Sequence, residues 1–180
     1  MKLIISLLAT LSVLALSPLQ AEEKRVSPHE TVSATIDGAT IKIVYGRPYT
    51  KDPKSGALRK IWGGLVPFGK VWRMGADEAT ILTTDRDLEI GGSKIPAGSY
   101  SLFLQPDESG PAMLIVNKQT GQWGTKHDES QDVAKVELKK SALASPVDQF
   151  TIALEKADGG ATLNLKWEGT EYSAPIAVKK

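Results

Sequence analysis

The sequence predicts an all-β domain, an antiparallel β-sandwich or open barrel of about ten short strands with one long packed loop. Three observations support this prediction. Apolar and polar residues alternate with a period of two in many short runs, turn residues separate those runs, and a helical period is nearly absent after the first 21 residues. Short strands divided by frequent turns are typical of sandwiches and barrels.

Several runs show the alternation of a strand with one face on a core and one face in water. They span residues 41–45, 100–104, 135–139, 150–155, 163–168 and 172–178. The two glycines at residues 91–92 predict a tight hairpin, because glycine accepts the positive φ angles that such turns require. Residues 158–160 (DGG) are predicted to separate the fourth and fifth runs, and residues 169–170 (GT) to separate the fifth and sixth.

The first 21 residues have the three parts of a secretory signal peptide. Lys2 supplies a positive charge, residues 3–16 are apolar, and Pro18 precedes the small residue Ala21, which suits a cleavage position. The apolar stretch is shorter than the roughly 20 residues that a membrane-spanning helix needs. We therefore expect cleavage after Ala21 and export to the periplasm or the extracellular space. Residues 22–180 are expected to form a single β-rich domain without a membrane span.

Composition argues against several kinds of partner and site. The chain has 22 basic and 21 acidic residues, and this balance gives no electrostatic basis for binding nucleic acid. Cysteine is absent, which excludes thiol nucleophiles and zinc–thiolate sites. The two histidines, His29 and His127, are not spaced as zinc ligands, and the acidic residues after His127 lack the spacing of a calcium loop. Neither a metal nor a cofactor is expected.

Two regions lack the strand alternation. Residues 46–75 are rich in glycine and proline but also carry apolar side chains, and residues 117–132 are polar with a single tryptophan. Long irregular connections in a compact domain are commonly functional. The apolar content of the first region predicts that it packs across one end or face of the sandwich.

The same two regions resemble a known family. The runs GRPY at 46–49, IWGGLVPFGKVWRMGADEAT at 61–80, IPAGSYSLF at 95–103 and NKQTGQWGT at 117–125, with an Asp-Val pair before a basic strand, are similar to motifs of the DUF2911 family. The resemblance extends from about residue 33 to residue 178. It implies one exported β-rich domain and no particular reaction, substrate or cofactor. The family usually has asparagine where Asp77 stands and often an aromatic residue near His127, so a role for a neutral amide at position 77 does not carry over.

Eight residues of these regions are candidates for ligand binding. Arg73 lies within a few residues of two carboxylates, on a turn that enters a strand. Such a group could hold an anionic or hydroxyl-rich ligand, or Arg73 could instead bind the carboxylates or backbone carbonyls and fix the loop. The complete set of candidates is Arg47, Tyr49, Trp72, Arg73, Asp77, Glu78, Trp123 and His127.

Two further groups leave alternatives open. Arg47, with Tyr49 nearby, could line the mouth of a pocket. Alternatively, Arg47 could form hydrogen bonds with loop carbonyls. The indoles at positions 62, 72 and 123 either stack on a sugar or cover the core where strands end. Trp123 is the best candidate for exposed stacking because its neighbours are small or polar, whereas Trp167 is expected in the core.

The sequence therefore favours an exported protein of unknown function that binds a small polar ligand, a glycan or an envelope protein through residues 46–80 and 117–132. One alternative is a hydrolytic enzyme with Asp77 or Glu78 as general base and Arg73 as its electrostatic partner. A serine hydrolase is not indicated, since the G-x-S-x-G motif is absent. Another alternative is a structural envelope protein in which every motif serves the fold.

Overall fold

The computed structural model describes residues 25–179, which contain nine strands and one 3-10 turn. The strands are β1 (His29–Ile36), β2 (Ala39–Gly46), β3 (Thr80–Thr84), β4 (Leu88–Ile90), β5 (Ser93–Ile95), β6 (Gly98–Gln105), β7 (Ala112–Asn117), β8 (Asp132–Ala157) and β9 (Gly160–Val178), and the 3-10 turn is Glu129–Gln131. The predicted signal peptide, residues 1–21, lies outside the described residues. Within residues 25–179, no helix has the length and apolar character needed to cross a membrane.

All nine strands belong to one sheet, in the order β1-β2-β3-β6-β7-β8-β9-β4-β5, and neighbouring strands are antiparallel. β1 and β5 are its edges, so the sheet is not closed. β1 also contacts β8 and β9, and β5 contacts β8, because the sheet coils until its edges approach its middle. The predicted all-β class, a sandwich or open barrel, is confirmed.

The core lies on the inner face of this coiled sheet. In β2 the alternate residues Ile41, Ile43 and Tyr45 are buried while Lys42 is exposed, as the period of two predicts. β6 and β7 are buried almost continuously. Their outer face is covered as well, since Phe103 and Ile115 form a second small cluster there with the loop residue Ala79. The segment just before β3 therefore covers part of the outer face of β6 and β7.

The prediction of about ten short strands is wrong for the last third of the chain. Residues 135–139 and 150–155 belong to one 26-residue strand, β8, and residues 163–168 and 172–178 belong to one 19-residue strand, β9. The glycine at 169 does not end a strand. The predicted turns at 91–92 and 158–160 do join β4 to β5 and β8 to β9, so those two predictions are confirmed.

Bulges explain why β8 and β9 bend without breaking. The register between them shifts twice, between Ala142 and Val147 and again before Thr151. Opposite these shifts, Glu168 has a φ of 53°, a conformation that bends a strand locally. One long hairpin consequently pairs with β7 near its start and with β4 near its end, and it connects both halves of the sheet.

Tyr45 links β2 to β8 across the core, and its removal tests that link. The side chain is buried, its hydroxyl accepts a hydrogen bond from the backbone N–H of Ile152 at 2.9 Å, and burial raises the pKa of the phenol. In Tyr45→Phe this buried N–H loses its partner, and we expect the free energy of unfolding to fall by about 1–3 kcal/mol in urea denaturation. Tyr49→Phe is the control, and an equal loss in both variants would contradict the assignment.

Candidate functional site

The two irregular regions meet around a cleft of about 540 Å³. Its walls come from residues 48–77, from residues 124–125, and from Val26 and Ser27 ahead of β1. Four of the eight candidate residues line it, and these are Tyr49, Trp72, Arg73 and Asp77. The other four, Arg47, Glu78, Trp123 and His127, lie outside the lining.

Backbone hydrogen bonds hold the long loop against the sheet. β3 pairs with β6 only as far as Leu102. Beyond that point Trp72 takes the place of β3, and it exchanges two backbone hydrogen bonds with Leu104, at 2.7 and 2.8 Å. Farther along, Thr50 N–H donates to the carbonyl of Asp148 in β8 at 2.7 Å. The loop thus packs across the sheet as predicted.

Trp72 forms the floor of the cleft and belongs to an aromatic cluster that lies beneath it. Trp72 stacks on Trp167 with ring centroids 5.6 Å apart and planes inclined by 19°, and Phe150 meets Trp72 edge-on at 5.0 Å. Trp62 meets Trp167 edge-on at 6.3 Å. Trp62 and Trp72 therefore cover the core, and the fully buried Trp167 belongs to it. Trp123, by contrast, is 49% exposed.

Arg73 contacts the backbone of the turn that follows it. Its Nη1 donates to the carbonyl of Asp77 at 3.2 Å, and the N–H of Gly124 donates to the same oxygen at 3.0 Å. A Cβ on Gly124 would lie 2.4 Å from Cδ of Arg73, so only glycine fits this close approach. Of the two interpretations of Arg73, the structure shows a contact with a backbone carbonyl that fixes the loop.

The carboxylates of Asp77 and Glu78 face His29. Nε2 of His29 lies 3.6 Å from Oδ2 of Asp77 and 3.3 Å from Oε2 of Glu78. Nη1 of Arg25 joins this group, at 2.6 Å from Oε2 of Glu78 and 2.9 Å from Nε2 of His29. The hydrogen bond from Arg25 holds the pKa of the Glu78 carboxyl below its usual value.

Sequence reasoning did not place His29 at the site. His29 begins β1 and pairs there with Gly46, and the N–H of Ala76 donates to the carbonyl of Gly46 at 3.2 Å. The end of β2 therefore brings His29 beside the turn that carries Asp77. The sequence could have indicated this proximity only if residues 29–36 had been recognised as the partner of β2, because that pairing sets His29 opposite Gly46.

Arg47 is bound to two strands. Its Nε donates to the carbonyl of Phe150 at 3.0 Å, its Nη2 donates to Oγ1 of Thr151 at 2.7 Å, and its Nη1 forms an ion pair with Glu30. All three nitrogens of this guanidinium are engaged with β1 and β8. Of the two alternatives for Arg47, the structure shows the satisfaction of backbone and side-chain acceptors.

His127 closes the second irregular region on itself. Its Nε2 lies 2.7 Å from Oδ1 of Asp132, and Nδ2 of Asn117 donates to the same oxygen at 2.7 Å. The imidazole also lies against the ring of Phe103, with centroids 4.8 Å apart. These contacts hold the region over the outer face of β6.

The cleft lining combines positive charge with exposed apolar side chains. Among the described residues it carries three basic groups, on Arg59, Lys70 and Arg73, and one acidic group, on Asp77. Three of the six large apolar side chains that are exposed in residues 25–179 line this cleft: Val26, Leu65 and Val71. A surface of this kind suits a ligand that has an anionic group and an apolar part.

Comparisons with known proteins agree with the motifs in the sequence. The family described as "Protein of unknown function (DUF2911)" matches residues 27–176. Searches of curated proteins and of solved structures found no match. The matched residues contain all nine strands except the last two residues of β9, both irregular regions, and the whole cleft lining except Val26. The chain belongs to the DUF2911 family.

Proposed function

We propose that this protein is exported and binds a small anionic ligand with an apolar part in the cleft. The observation that carries the proposal is the cleft itself, at about 540 Å³ and lined by three basic side chains against one acidic side chain. Sites for small molecules typically have volumes of about 300–1,000 Å³ and an apolar lining with a few polar groups. The signal-peptide pattern of residues 1–21 supports export to the periplasm or the extracellular space.

The positions of the basic groups support an anion. Lys70 and Arg73 line the cleft on the same stretch of loop, and Trp72 between them forms its floor. Arg59 lines it from another part of the loop, and its Nε is buried without a hydrogen-bond partner. Because a buried donor without a partner is costly, a ligand oxygen that reached this nitrogen would be bound favourably.

The enzyme alternative lacks the pair on which it was based. A hydrolase with Asp77 or Glu78 as base and Arg73 as its partner requires the guanidinium beside a carboxylate. Arg73 instead hydrogen-bonds the main chain of Asp77, and the two carboxylates face His29. Ligand binding requires none of these groups to transfer a proton.

Thermal unfolding with defined probes tests the proposal. The probes are inorganic phosphate, an aliphatic carboxylate, an aromatic carboxylate, a sugar phosphate and a neutral oligosaccharide. At a concentration 100 times its Kd, a ligand that binds only the folded state stabilises it by about 2.7 kcal/mol. We expect carboxylates with an apolar part to raise Tm most.

Variants of single basic residues show whether the ligand that raises Tm binds in the cleft. Lys70→Met and Arg73→Met each remove a charge from the cleft lining and should abolish most of the stabilisation. Arg86→Met removes an exposed charge from a turn outside that lining and should preserve it. Stabilisation by the neutral oligosaccharide alone would indicate a glycan site and overturn the anionic ligand. Equal loss in all three variants would place binding elsewhere.

A further inference from the structure

We infer that His29, Asp77 and Glu78 form a binding site for one divalent transition-metal ion, with Zn²⁺ as the best-fitting case. Each residue offers one ligand atom, and these three atoms all lie within 4.8 Å of one another. The site adjoins the cleft through Asp77, which belongs to both. The inference does not rest on the proposed ligand.

The spacing of the ligand atoms matches a small tetrahedral ion. Two ligands bound at about 2.0–2.1 Å in tetrahedral geometry are about 3.3 Å apart. Nε2 of His29 lies 3.3 Å from Oε2 of Glu78 and 3.6 Å from Oδ2 of Asp77. Only small side-chain movements would bring the three atoms onto one ion.

The ligand types select the class of metal. Imidazole nitrogen with two carboxylates suits Zn²⁺ and other transition metals, whereas Ca²⁺ and Mg²⁺ prefer ligand sets made of oxygen alone. Three protein ligands leave the fourth tetrahedral position open to water or to another small ligand, which is the composition of catalytic rather than structural zinc sites.

Local backbone geometry explains how consecutive residues reach the same ion. In an extended strand the side chains of neighbouring residues point to opposite faces. Asp77 has a φ of 64°, in the left-handed region that aspartate tolerates better than most residues. This turn lets both Asp77 and Glu78 face His29. The backbone of Glu78 is also bridged to that of Trp123, which fixes the main chain that carries the second carboxylate.

The contact between Arg25 and His29 is a hydrogen bond only in the tautomer that leaves a lone pair on Nε2 of His29. A guanidinium only donates hydrogen bonds, so Nε2 of His29, 2.9 Å from Nη1 of Arg25, accepts through its lone pair. The same lone pair is what a metal ion requires. The guanidinium of Arg25 thus occupies the position between Nε2 of His29 and Oε2 of Glu78. A bound ion would displace it.

Displacement of Arg25 would alter the cleft. Val26 and Ser27 directly follow Arg25 and line the cleft, so an ion that replaces the guanidinium also frees this wall from its attachment to Glu78. Metal binding and the shape of the cleft are therefore coupled through residues 25–27.

Calorimetric titration of the chelator-treated protein with ZnCl₂ alone tests the inference. We expect saturation at about one Zn²⁺ per chain and an affinity at least about tenfold lower in His29→Ala and in Glu78→Gln, since each removes a ligand. Arg25→Gln removes the competing charge and should bind Zn²⁺ at least as tightly as the unmodified protein. Tm in the absence of metal shows whether each variant is folded. Should His29→Ala not fold, Glu78→Gln still tests the site, because it preserves the size of a side chain that is only partly buried.

His127→Ala is the matched control. It removes the other histidine, which is paired with Asp132 in the second irregular region, and it should leave Zn²⁺ affinity unchanged. Three results would overturn the site: absence of binding in both the unmodified protein and Arg25→Gln, undiminished binding in Glu78→Gln, or a loss in His127→Ala equal to that in His29→Ala.

Discussion

Replacement of Trp167 by alanine is expected to lower the free energy of unfolding by about 3–5 kcal/mol, the range for a large aromatic residue removed from a core. Trp167 is fully buried. Its ring stacks on Trp72 and meets Trp62 and Phe150 edge-on, so its removal opens a cavity directly beneath the cleft. The surrounding rings come from different segments and cannot all move inward to fill it.

Urea denaturation of the variant measures this loss, and Trp123→Ala is the control. Trp123 is an indole of the same size that is 49% exposed, and we expect its removal to change stability by less than about 1 kcal/mol. Because Trp72 would lose the ring on which it stacks, ligand binding in the cleft should weaken in Trp167→Ala. Similar losses of stability in both variants would show that the indole cluster does not support the floor of the cleft.

Gly46→Ala is expected to cost about 3 kcal/mol, at the upper end of the range for added volume in a packed site. A Cβ on Gly46 would lie 2.4 Å from the carbonyl oxygen of Ala76. The obstacle is main chain, which cannot turn aside as a side chain could. One methyl group would therefore push the turn of Asp77 away from the end of β2.

The control for Gly46→Ala is Gly169→Ala. A Cβ on Gly169 meets no atom within 4 Å, and its φ is not in the left-handed region, so stability should be unchanged or slightly raised. Chemical denaturation measures both variants. Since Gly46 sets the distance between His29 and the turn, Zn²⁺ affinity should fall in Gly46→Ala alone. A Gly46→Ala protein as stable as Gly169→Ala would contradict the close packing of β2 on the turn.

Local pattern was sufficient to predict the strands but not where the long ones continue. The alternation in β2 and β6 indicates strands because successive side chains point to opposite faces of a sheet, so that residue type alternates with burial. The glycine at 169 predicts a turn, and this prediction is wrong because bulges use glycine as well as turns do. The bend depends on Glu168, a residue with positive φ that is not glycine, and on register shifts that arise only when β8 and β9 pair.

The candidate site was predicted as a region rather than as a set of contacts. Composition indicated the two irregular regions, and both line the cleft. Which partner each charged group takes depends on strand register: Arg47 faces β8, and the carboxylate of Asp77 faces His29. Those pairings join residues far apart in the chain, and no local spacing determines them.

Strand order also governs when this chain can fold. β4 pairs on one side with β5 and on the other with residues 176–178 of β9, so a strand from the middle of the chain receives its second partner from the last residues of the sheet. Topologies dominated by such distant pairings fold in roughly milliseconds to seconds, far more slowly than helical bundles. Until β9 arrives, β4 presents an unpaired edge to other chains. Pairing of β4 with the end of β9 is therefore the folding step that removes this particular edge as a site of aggregation.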